Sequence, residues 1–157
     1  EPLQIQAFDR LCDTLVQHPL TGRVISIHAV RSAGAVLDVL ESHGLLIPNH
    51  DSPAIIFHWF SDTSDELARA RNVGCYFSVN DRMLATKRGR EYARQIPLDR
   101  LLLETDAPAE PNTETSAQSL IRSLTRTSMR IASLKNCDAK RIESVVLANA
   151  HSVFDLR

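Results

Sequence analysis

Residues 101–106 have the sequence Leu101-Leu102-Leu103-Glu104-Thr105-Asp106, an apolar run that ends in two carboxylates. An apolar run of this length is typical of a buried β-strand, so a strand is predicted over Leu101–Asp106. Three comparable runs precede it, and each is followed by a segment with helical periodicity. Strands that alternate with helices predict βαβ units and therefore an α/β fold with a parallel sheet or barrel. The earlier strands are predicted over Val24–His28, Ala54–Phe60 and Gly74–Val79.

The helices are predicted from apolar residues that recur every three to four positions along one face. Asp138 is expected to cap the last helix at its N-terminus. No repeat, linker or low-complexity tract marks a domain boundary within residues 1–157. The predicted helices span Leu3–Val16, Ala33–Leu46, Ser64–Asn72, Arg88–Gln95, Ser116–Leu134 and Asp138–Ala148.

The composition excludes several classes of protein. Lys and Arg number 18 against 19 Asp and Glu, so nucleic-acid binding would need a local basic patch rather than a basic surface overall. Cys12, Cys75 and Cys137 are too far apart for a CxxC zinc motif and too few for a disulfide framework. No apolar run approaches the about 20 residues needed to cross a bilayer, and no leader sequence opens the chain. We therefore expect a soluble, cytoplasmic protein with reduced thiols and no membrane contact.

Strand periodicity places four chemically active side chains on one face. Side chains two positions apart in a strand point the same way, which groups His28 with Ser26 and Glu104 with Asp106. The opposite faces of these strands carry the bulkier apolar residues and are expected to pack against the helices. His28, His58 and both carboxylates are therefore expected at the C-terminal mouth of a barrel, where βα proteins place catalytic groups.

His28, His58 and Asp106 are candidate ligands for a divalent metal. Imidazole nitrogens and carboxylate oxygens bind Zn²⁺, Mn²⁺ or Mg²⁺, and a water on such a cation becomes a nucleophile near neutral pH. Structural roles are the alternative: a histidine at a strand end often only makes hydrogen bonds, and Asp106 could cap a turn before Pro108. From the residues alone, both interpretations stay open.

The remaining histidines and the basic clusters are weaker candidates. His18, His43 and His50 are expected on the surface, and His151 in a structural role. Basic residues after the third strand could contact phosphate, or could lie on a solvated helix face neutralised in part by Glu91. An arginine stripe on a late helix is expected to face solvent or a partner. The first group is Arg82, Lys87, Arg88, Arg90 and Arg94, and the stripe is Arg122, Arg126 and Arg130.

The chain resembles the TatD-related deoxyribonuclease family, part of the wider group of metal-dependent hydrolase barrels. The most specific motif is the Asp-Arg-Leu-Leu-Leu-Glu-Thr-Asp-Ala-Pro run at residues 99–108, and the other motifs follow in family order along almost the whole chain. These are Gln4-x-x-x-Phe8, Ile27-His28-x-x-Arg31, Phe57-His58-x-Phe60-Ser61, Gly74-x-Tyr76-x-Ser78 and Asn149-x-x-x-Val153-Phe154.

The resemblance implies a (β/α)8 TIM barrel with two bound divalent metal ions (Mg, Mn or Zn) and nuclease activity on DNA, commonly exonucleolytic. It implies that His28, His58 and Asp106 are metal ligands. Glu104 matches a family carboxylate beside the metal centre, so it is expected, with Asp106, to take part in catalysis by orienting a ligand or water.

The chain also departs from the family pattern. Trp59 replaces the usual Cys after the second histidine, and Asp62 replaces a Gly and adds a carboxylate near the mouth. Residues 109–114 lack the family's Arg-Asn-Glu-Pro form, so no substrate contact is carried over to them. The family's His-x-His strand and its bridging Glu have no counterpart upstream of the matched helix.

Four strands are half of a barrel that typically needs about 250 residues. We therefore expect residues 1–157 to be a partial domain, the C-terminal half of a barrel whose N-terminal half lies outside the chain. Such a half would have weak nuclease activity or none by itself. Three functions follow from the residues and the resemblance: a metal-dependent DNase with DNA as partner, a non-catalytic barrel subunit that acts as a scaffold in a larger complex, and a hydrolase of small amides or phosphoesters. Retention of all three ligand positions favours the first.

Overall fold

The computed structural model describes residues 2–47, 52–107 and 115–154. A 3-10 turn over Leu98–Arg100 leads into the last strand. The elements in chain order are α1 (Pro2–Gln17), β1 (Val24–Ile27), α2 (Ala33–Ser42), β2 (Ala54–His58), α3 (Ser64–Asn72), β3 (Tyr76–Val79), α4 (Asp81–Ala85), α5 (Lys87–Gln95), β4 (Leu101–Leu103), α6 (Ala117–Leu134) and α7 (Ala139–Phe154).

The four strands form one parallel sheet in the order β1-β2-β3-β4. In register, Ile27 lies opposite Phe57, His58 opposite Ser78, and Val79 opposite Leu103. The α/β fold with four parallel strands is therefore confirmed. All four strands end at the same edge, here called the carboxyl edge, and the residues that follow them lie side by side.

One face of the sheet carries the main core. Phe57 and Phe77 are stacked with ring centroids 6.2 Å apart, and Phe60 meets both rings edge-on. These rings are at most 3% exposed, and α2, α3 and α5 contribute Leu37, Leu67 and Tyr92 to the same cluster.

The other face is covered only in part. Ile56 and Leu102 are buried there against Val153 of α7. Asn149 of α7 donates two hydrogen bonds of 2.8 Å, to the carbonyls of Leu98 and Leu101, and thereby fixes α7 beside β4. At the opposite end of the sheet, Ser26 of β1 is exposed.

Three strands are shorter at their carboxyl ends than predicted. β2 ends at His58 because Trp59 has a φ of +43°, in the left-handed region that extended chain does not use. β4 ends at Leu103, and Asp106 has a φ of +53°. β1 ends at Ile27, just before His28.

The helices differ from the prediction chiefly at three places, the first of which is α7: it continues to Phe154 instead of ending at Ala148. α2 ends at Ser42 because Gly44 turns the chain with a φ of +69°. The five-residue helix α4 was missed, since it is too short to show helical periodicity. Its N-cap Asn80, which accepts a hydrogen bond from Met83 N at 2.8 Å, was the available signal. The predicted cap Asp138 is confirmed, because its Oδ1 accepts a hydrogen bond of 2.7 Å from Lys140 N.

Cys12, Cys75 and Cys137 are free thiols, in agreement with the sequence analysis. None of the helices in the described ranges combines the length and apolar character that a bilayer-spanning segment requires.

Candidate metal centre

Glu104 lies at the centre of a hydrogen-bond network at the carboxyl edge. Its carboxylate contacts Nδ1 of His58 from β2 and accepts a hydrogen bond from Ser78 Oγ of β3. It also accepts a hydrogen bond of 2.7 Å from Asn80 Nδ2. Its own backbone N–H donates to Val79 O at 3.1 Å, which continues the pairing of β4 with β3 for one residue beyond the strand. Glu104 is thus held by two neighbouring strand ends.

His58 joins this network to Asp106. In the neutral tautomer that donates its Nδ1 proton to Glu104, Nε2 of His58 carries a lone pair; this nitrogen lies 3.3 Å from Oδ1 of Asp106. Two electron-pair donors at this distance require a proton or a cation to bring them together. Carboxylate, imidazole and a metal ion commonly occur in this order in metalloproteins, with the carboxylate fixing the tautomer of the ligand.

His28 lies next to His58, directly after the end of the neighbouring strand β1. The two ring centroids are 5.1 Å apart and the rings are tilted by 56°. His28 is exposed, whereas the side chain of His58 is 22% exposed. The structure therefore brings the four residues predicted from sequence, His28, His58, Glu104 and Asp106, to one edge of the sheet.

The backbone at this edge is strained. Arg31, Trp59 and Asp106 follow three different strands, and each has a positive φ although none is glycine. Such conformations cost about 1–3 kcal/mol each and concentrate at functional sites. These three residues therefore mark the carboxyl edge as a candidate functional site.

Burial raises the pKa of the Glu104 carboxyl, and the hydrogen bonds from Ser78 and Asn80 and the charge of His58 act in the opposite direction. The side chain is 12% exposed. Glu104 therefore retains a proton more readily than a carboxyl at the surface does.

The donor set suits a divalent cation. It offers an imidazole nitrogen already oriented by a carboxylate, a second imidazole on the next strand and a partly exposed carboxylate, Asp106. These ligand types serve Zn²⁺ and Mn²⁺, and the carboxylate also serves Mg²⁺. By chemical type these side chains therefore suit a divalent cation, although among the described residues only Asp9, Asp13 and His43 bring three ligand atoms within 4.8 Å of one another.

Ser78 and Asn80, which donate hydrogen bonds to Glu104, were not predicted as site residues. They are 7% and 1% exposed, respectively. Ser78 belongs to the quoted motif Gly74-x-Tyr76-x-Ser78, and Asn80 lies two positions further on. Their shared parity was the signal that could have found them.

Asp62, expected as an additional carboxylate at the mouth, has a structural role. Its Oδ2 accepts a 2.7 Å hydrogen bond from Ala33 N at the start of α2, and its Oδ1 accepts one of 2.8 Å from Thr63 N. Pro108 and residues 109–114 lie outside the described residues, so the alternative turn role of Asp106 stays a prediction.

Most of the basic residues considered in the sequence analysis have structural partners. Asp81 binds Arg126 at 2.8 Å and Arg130 at 2.6 Å, so two of the three stripe arginines hold α6 against α4. Arg90 donates to the carbonyls of Leu84 and Ala85. Arg94 pairs with Glu91 at 3.1 Å.

His43 is not the surface residue that the sequence analysis expected, because its side chain is only 14% exposed. Its Nδ1 donates to Val39 O at 2.8 Å, and its Nε2 lies 3.1 Å from Asp13 Oδ1 and 3.6 Å from Asp9 Oδ1. The three ligand atoms lie within 4.8 Å of one another. The hydrogen bond to Val39 O and the two carboxylates raise the pKa of His43, which favours its protonated form. His50, also expected on the surface, lies outside the described residues.

A family model described as TatD related DNase matches residues 2–155. The chain belongs to this family. The resemblance inferred from the motifs is therefore confirmed, and it extends over nearly the whole chain.

Two relatives in this family match parts of the chain. Deoxyribonuclease Tat-D of Schizosaccharomyces pombe is 43% identical over 53 residues, which are 34% of this chain and 17% of that protein. The 3′-5′ ssDNA/RNA exonuclease TatD of Musicola paradisiaca is 30% identical over 115 residues, 66% of this chain and 42% of that protein.

Solved structures share the fold. A hydrolase TatD family protein from Entamoeba histolytica superposes with a TM-score of 0.78 at 18% identity, over 98% of this chain and 57% of that one. An uncharacterized amidohydrolase from Saccharomyces cerevisiae gives a TM-score of 0.74 at 16% identity, over 98% of this chain and 60% of that one. This TatD-family chain thus spans less than two thirds of the length of each of these relatives.

Proposed function

We propose that this chain forms part of a metal-dependent hydrolase that cleaves DNA phosphodiester bonds, acting as an exonuclease. The observation that carries the proposal is the convergence of His58, Glu104 and Asp106 at the carboxyl edge of the sheet. Membership of the TatD-related DNase family supports DNA as the substrate. The name of the Musicola relative, a 3′-5′ ssDNA/RNA exonuclease, supports exonucleolytic cleavage.

Divalent metal ions are the proposed cofactors, two per complete site, with Mg, Mn and Zn as candidates. His28, His58 and Asp106 would be the ligands from this chain. When bound, such ions supply Lewis-acid activation of a water molecule and stabilise the charge on the leaving oxygen.

The chain's own residues would have distinct tasks. Glu104 accepts the Nδ1 proton of His58 and fixes the direction of the imidazole, while Ser78 and Asn80 fix Glu104. Asp106 presents a partly exposed oxygen to the same space as His58 Nε2. Glu104 is therefore a positioning residue, and Asp106 would be the carboxylate in contact with the reacting groups.

The remaining ligands are proposed to come from outside this chain. β1 and β4 are the two edges of the sheet, and Ser26 of β1 and His28 just after it are exposed. An unpaired parallel edge and an open inner face are not typical of a finished barrel. We propose that a further half barrel pairs with these edges, from the same protein or from a partner, and that residues 1–157 alone cleave DNA weakly or not at all.

The test uses the full reading frame that encodes this chain and single-stranded DNA labelled at the 5′ or the 3′ end. Wild type is expected to shorten the DNA in the presence of Mg²⁺ or Mn²⁺, and Asp106→Ala to lose this activity. Equal cleavage by Asp106→Ala would overturn the site assignment. If the folded wild type cleaves no DNA with Mg²⁺, Mn²⁺ or Zn²⁺, the nuclease proposal is overturned and a scaffold function is favoured.

A further inference from the structure

A groove lies beside the candidate metal centre, at the carboxyl edge of β1, β2 and β3. It has a volume of about 390 Å³, and its lining includes Arg31, Trp59, Ser61, Thr86 and Arg88. These residues come from the segments that follow the three strands. The groove therefore opens on the same edge of the sheet as His28 and His58.

Trp59 connects the groove to the metal centre. It directly follows His58, and its ring centroid is 6.5 Å from that of His28, with the ring planes at 74°. Part of the side chain packs against the core, and the rest lines the groove. The φ of +43° at Trp59 is unfavourable for a bulky residue. The backbone is therefore strained at the position that holds the indole ring in the groove.

The charge of the groove is positive. Arg31 and Arg88 are exposed, and neither makes an ion pair or a side-chain hydrogen bond within the part of the chain that the structure describes. Arg69 and Arg130, in contrast, bind acidic side chains: Arg69 binds Asp38 and Glu41, and Arg130 binds Asp81. The groove thus presents an aromatic ring together with two guanidinium groups that have no partner among the described residues.

An aromatic ring and cationic side chains in one groove match the chemistry of a nucleotide in a single strand. An unpaired base offers a flat face for stacking, and its flanking phosphates accept hydrogen bonds from arginine. A base inside a duplex has both faces covered and cannot stack on a protein ring without being flipped out.

We propose that this groove binds one nucleotide of a single-stranded nucleic acid, with its base stacked on Trp59 and its phosphates on Arg31 and Arg88. The site would make the chain selective for single strands over duplexes. This role in substrate binding rests on the proposed nuclease function. Binding of nucleic acid to the groove can nevertheless be measured without cleavage.

Trp59 is the single tryptophan of residues 1–157, so in the complete protein the part of the fluorescence change that Trp59→Phe abolishes reports on this site. The first experiment titrates the protein with oligothymidylate in the absence of metal. Stacking is expected to quench the emission. A duplex of the same length and an abasic oligonucleotide, which has phosphates but no bases, are expected to quench little. Equal quenching by the abasic strand, or no quenching by oligothymidylate, would overturn the stacking proposal.

The second experiment measures binding of labelled oligothymidylate by fluorescence anisotropy in substituted proteins. Trp59→Leu is expected to weaken binding about tenfold, the effect of losing one stacked base. Trp59→Phe keeps an aromatic face and should recover most of the affinity. Arg31→Gln and Arg88→Gln should each lower the slope of log affinity against log salt by roughly 0.7. Arg141→Gln, an exposed arginine at the start of α7, is the charge-matched control and should change neither quantity.

The outcomes separate this inference from the proposed function. Loss of cleavage in Asp106→Ala combined with unchanged binding by Trp59→Leu would overturn the groove and leave the nuclease intact. Tryptophan quenching by oligothymidylate in a protein that cleaves nothing would support the groove and count against the nuclease.

Discussion

Nε2 of His58 lies 3.3 Å from Oδ1 of Asp106, while Nδ1 of the same ring contacts Glu104. One imidazole therefore links a buried carboxylate to a partly exposed one. The buried carboxylate fixes the ring, and the other nitrogen is left for a proton or a metal ion.

The first prediction concerns His58→Asn in the complete protein. Because asparagine has no nitrogen at the place of Nε2, metal-dependent cleavage of single-stranded DNA is expected to fall by more than about 100-fold, the upper range for changes in residues that surround a ligand. Calorimetric titration with Mn²⁺ should show a matching loss of affinity. His18→Asn makes the same change at an exposed histidine after α1 and should behave as wild type. Retention of full activity by His58→Asn would refute the ligand role.

Glu104→Gln tests the positioning role separately. Glutamine keeps the size of the side chain but removes the charge that holds the His58 proton. The apparent affinity for metal is expected to fall about 10- to 100-fold, with much of kcat recovered at saturating metal. Ser78→Ala, which removes only one hydrogen bond to the same carboxylate, should have a smaller effect in the same direction. An unchanged metal dependence in Glu104→Gln would contradict this role.

The alternation of side chains along the strands predicted that His58, Glu104 and Asp106 lie close together, as they do. For Asp106, however, strand alternation does not explain its position. His58 and Glu104 are placed by strand register, because His58 is the last residue of β2 and Glu104 still bonds to Val79. Asp106 lies beyond the end of β4, in a left-handed conformation that no periodicity predicts. It reaches His58 because the chain turns there, so the turn rather than the strand positions this carboxylate.

The fold could be predicted where pattern and length agreed. α3 has the predicted bounds Ser64–Asn72, since Thr63 caps its start by accepting a hydrogen bond from Glu66 N. Strand ends could not be predicted, because Trp59 and Arg31 are residues that ordinarily avoid positive φ. The pairing of Arg130 with Asp81 is a contact between α6 and α4, and the sequence contained no sign of α4's partner.

Gly89 and Gly34 provide a test of how closely the elements pack. A Cβ at Gly89 would lie 2.0 Å from the carbonyl oxygen of Met83, a backbone atom that cannot move aside. Gly89→Ala is therefore expected to lower the free energy of unfolding by about 3 kcal/mol, the upper range for overpacking. A Cβ at Gly34 would meet only the flexible end of Glu66, at 2.9 Å.

Gly34→Ala should therefore change stability by less than about 1 kcal/mol, because the gain from a less flexible unfolded chain offsets the small shift of Glu66. Urea unfolding of both variants measures the difference, provided that the m-values agree. Equal midpoints for the two variants would show that α5 does not approach Met83 as closely as described.

Cys75 makes the stability of the protein depend on alkaline pH. Burial raises the pKa of its thiol from 9.0 to about 12, whereas the unfolded chain keeps the ordinary value. Below pH 9 both states hold the proton and the full stability is present. Between pH 9 and about 12 the unfolded chain releases the proton and the folded protein does not, so the free energy of unfolding falls as pH rises. The slope due to this thiol should approach about 1 kcal/mol per pH unit.

Urea unfolding at neutral pH and at about one unit above the ordinary thiol pKa measures this slope. Cys75→Ala should reduce the slope, and Cys137→Ala, at a less buried thiol, should leave it unchanged. The same slope in all three proteins would mean that other groups cause the loss of stability.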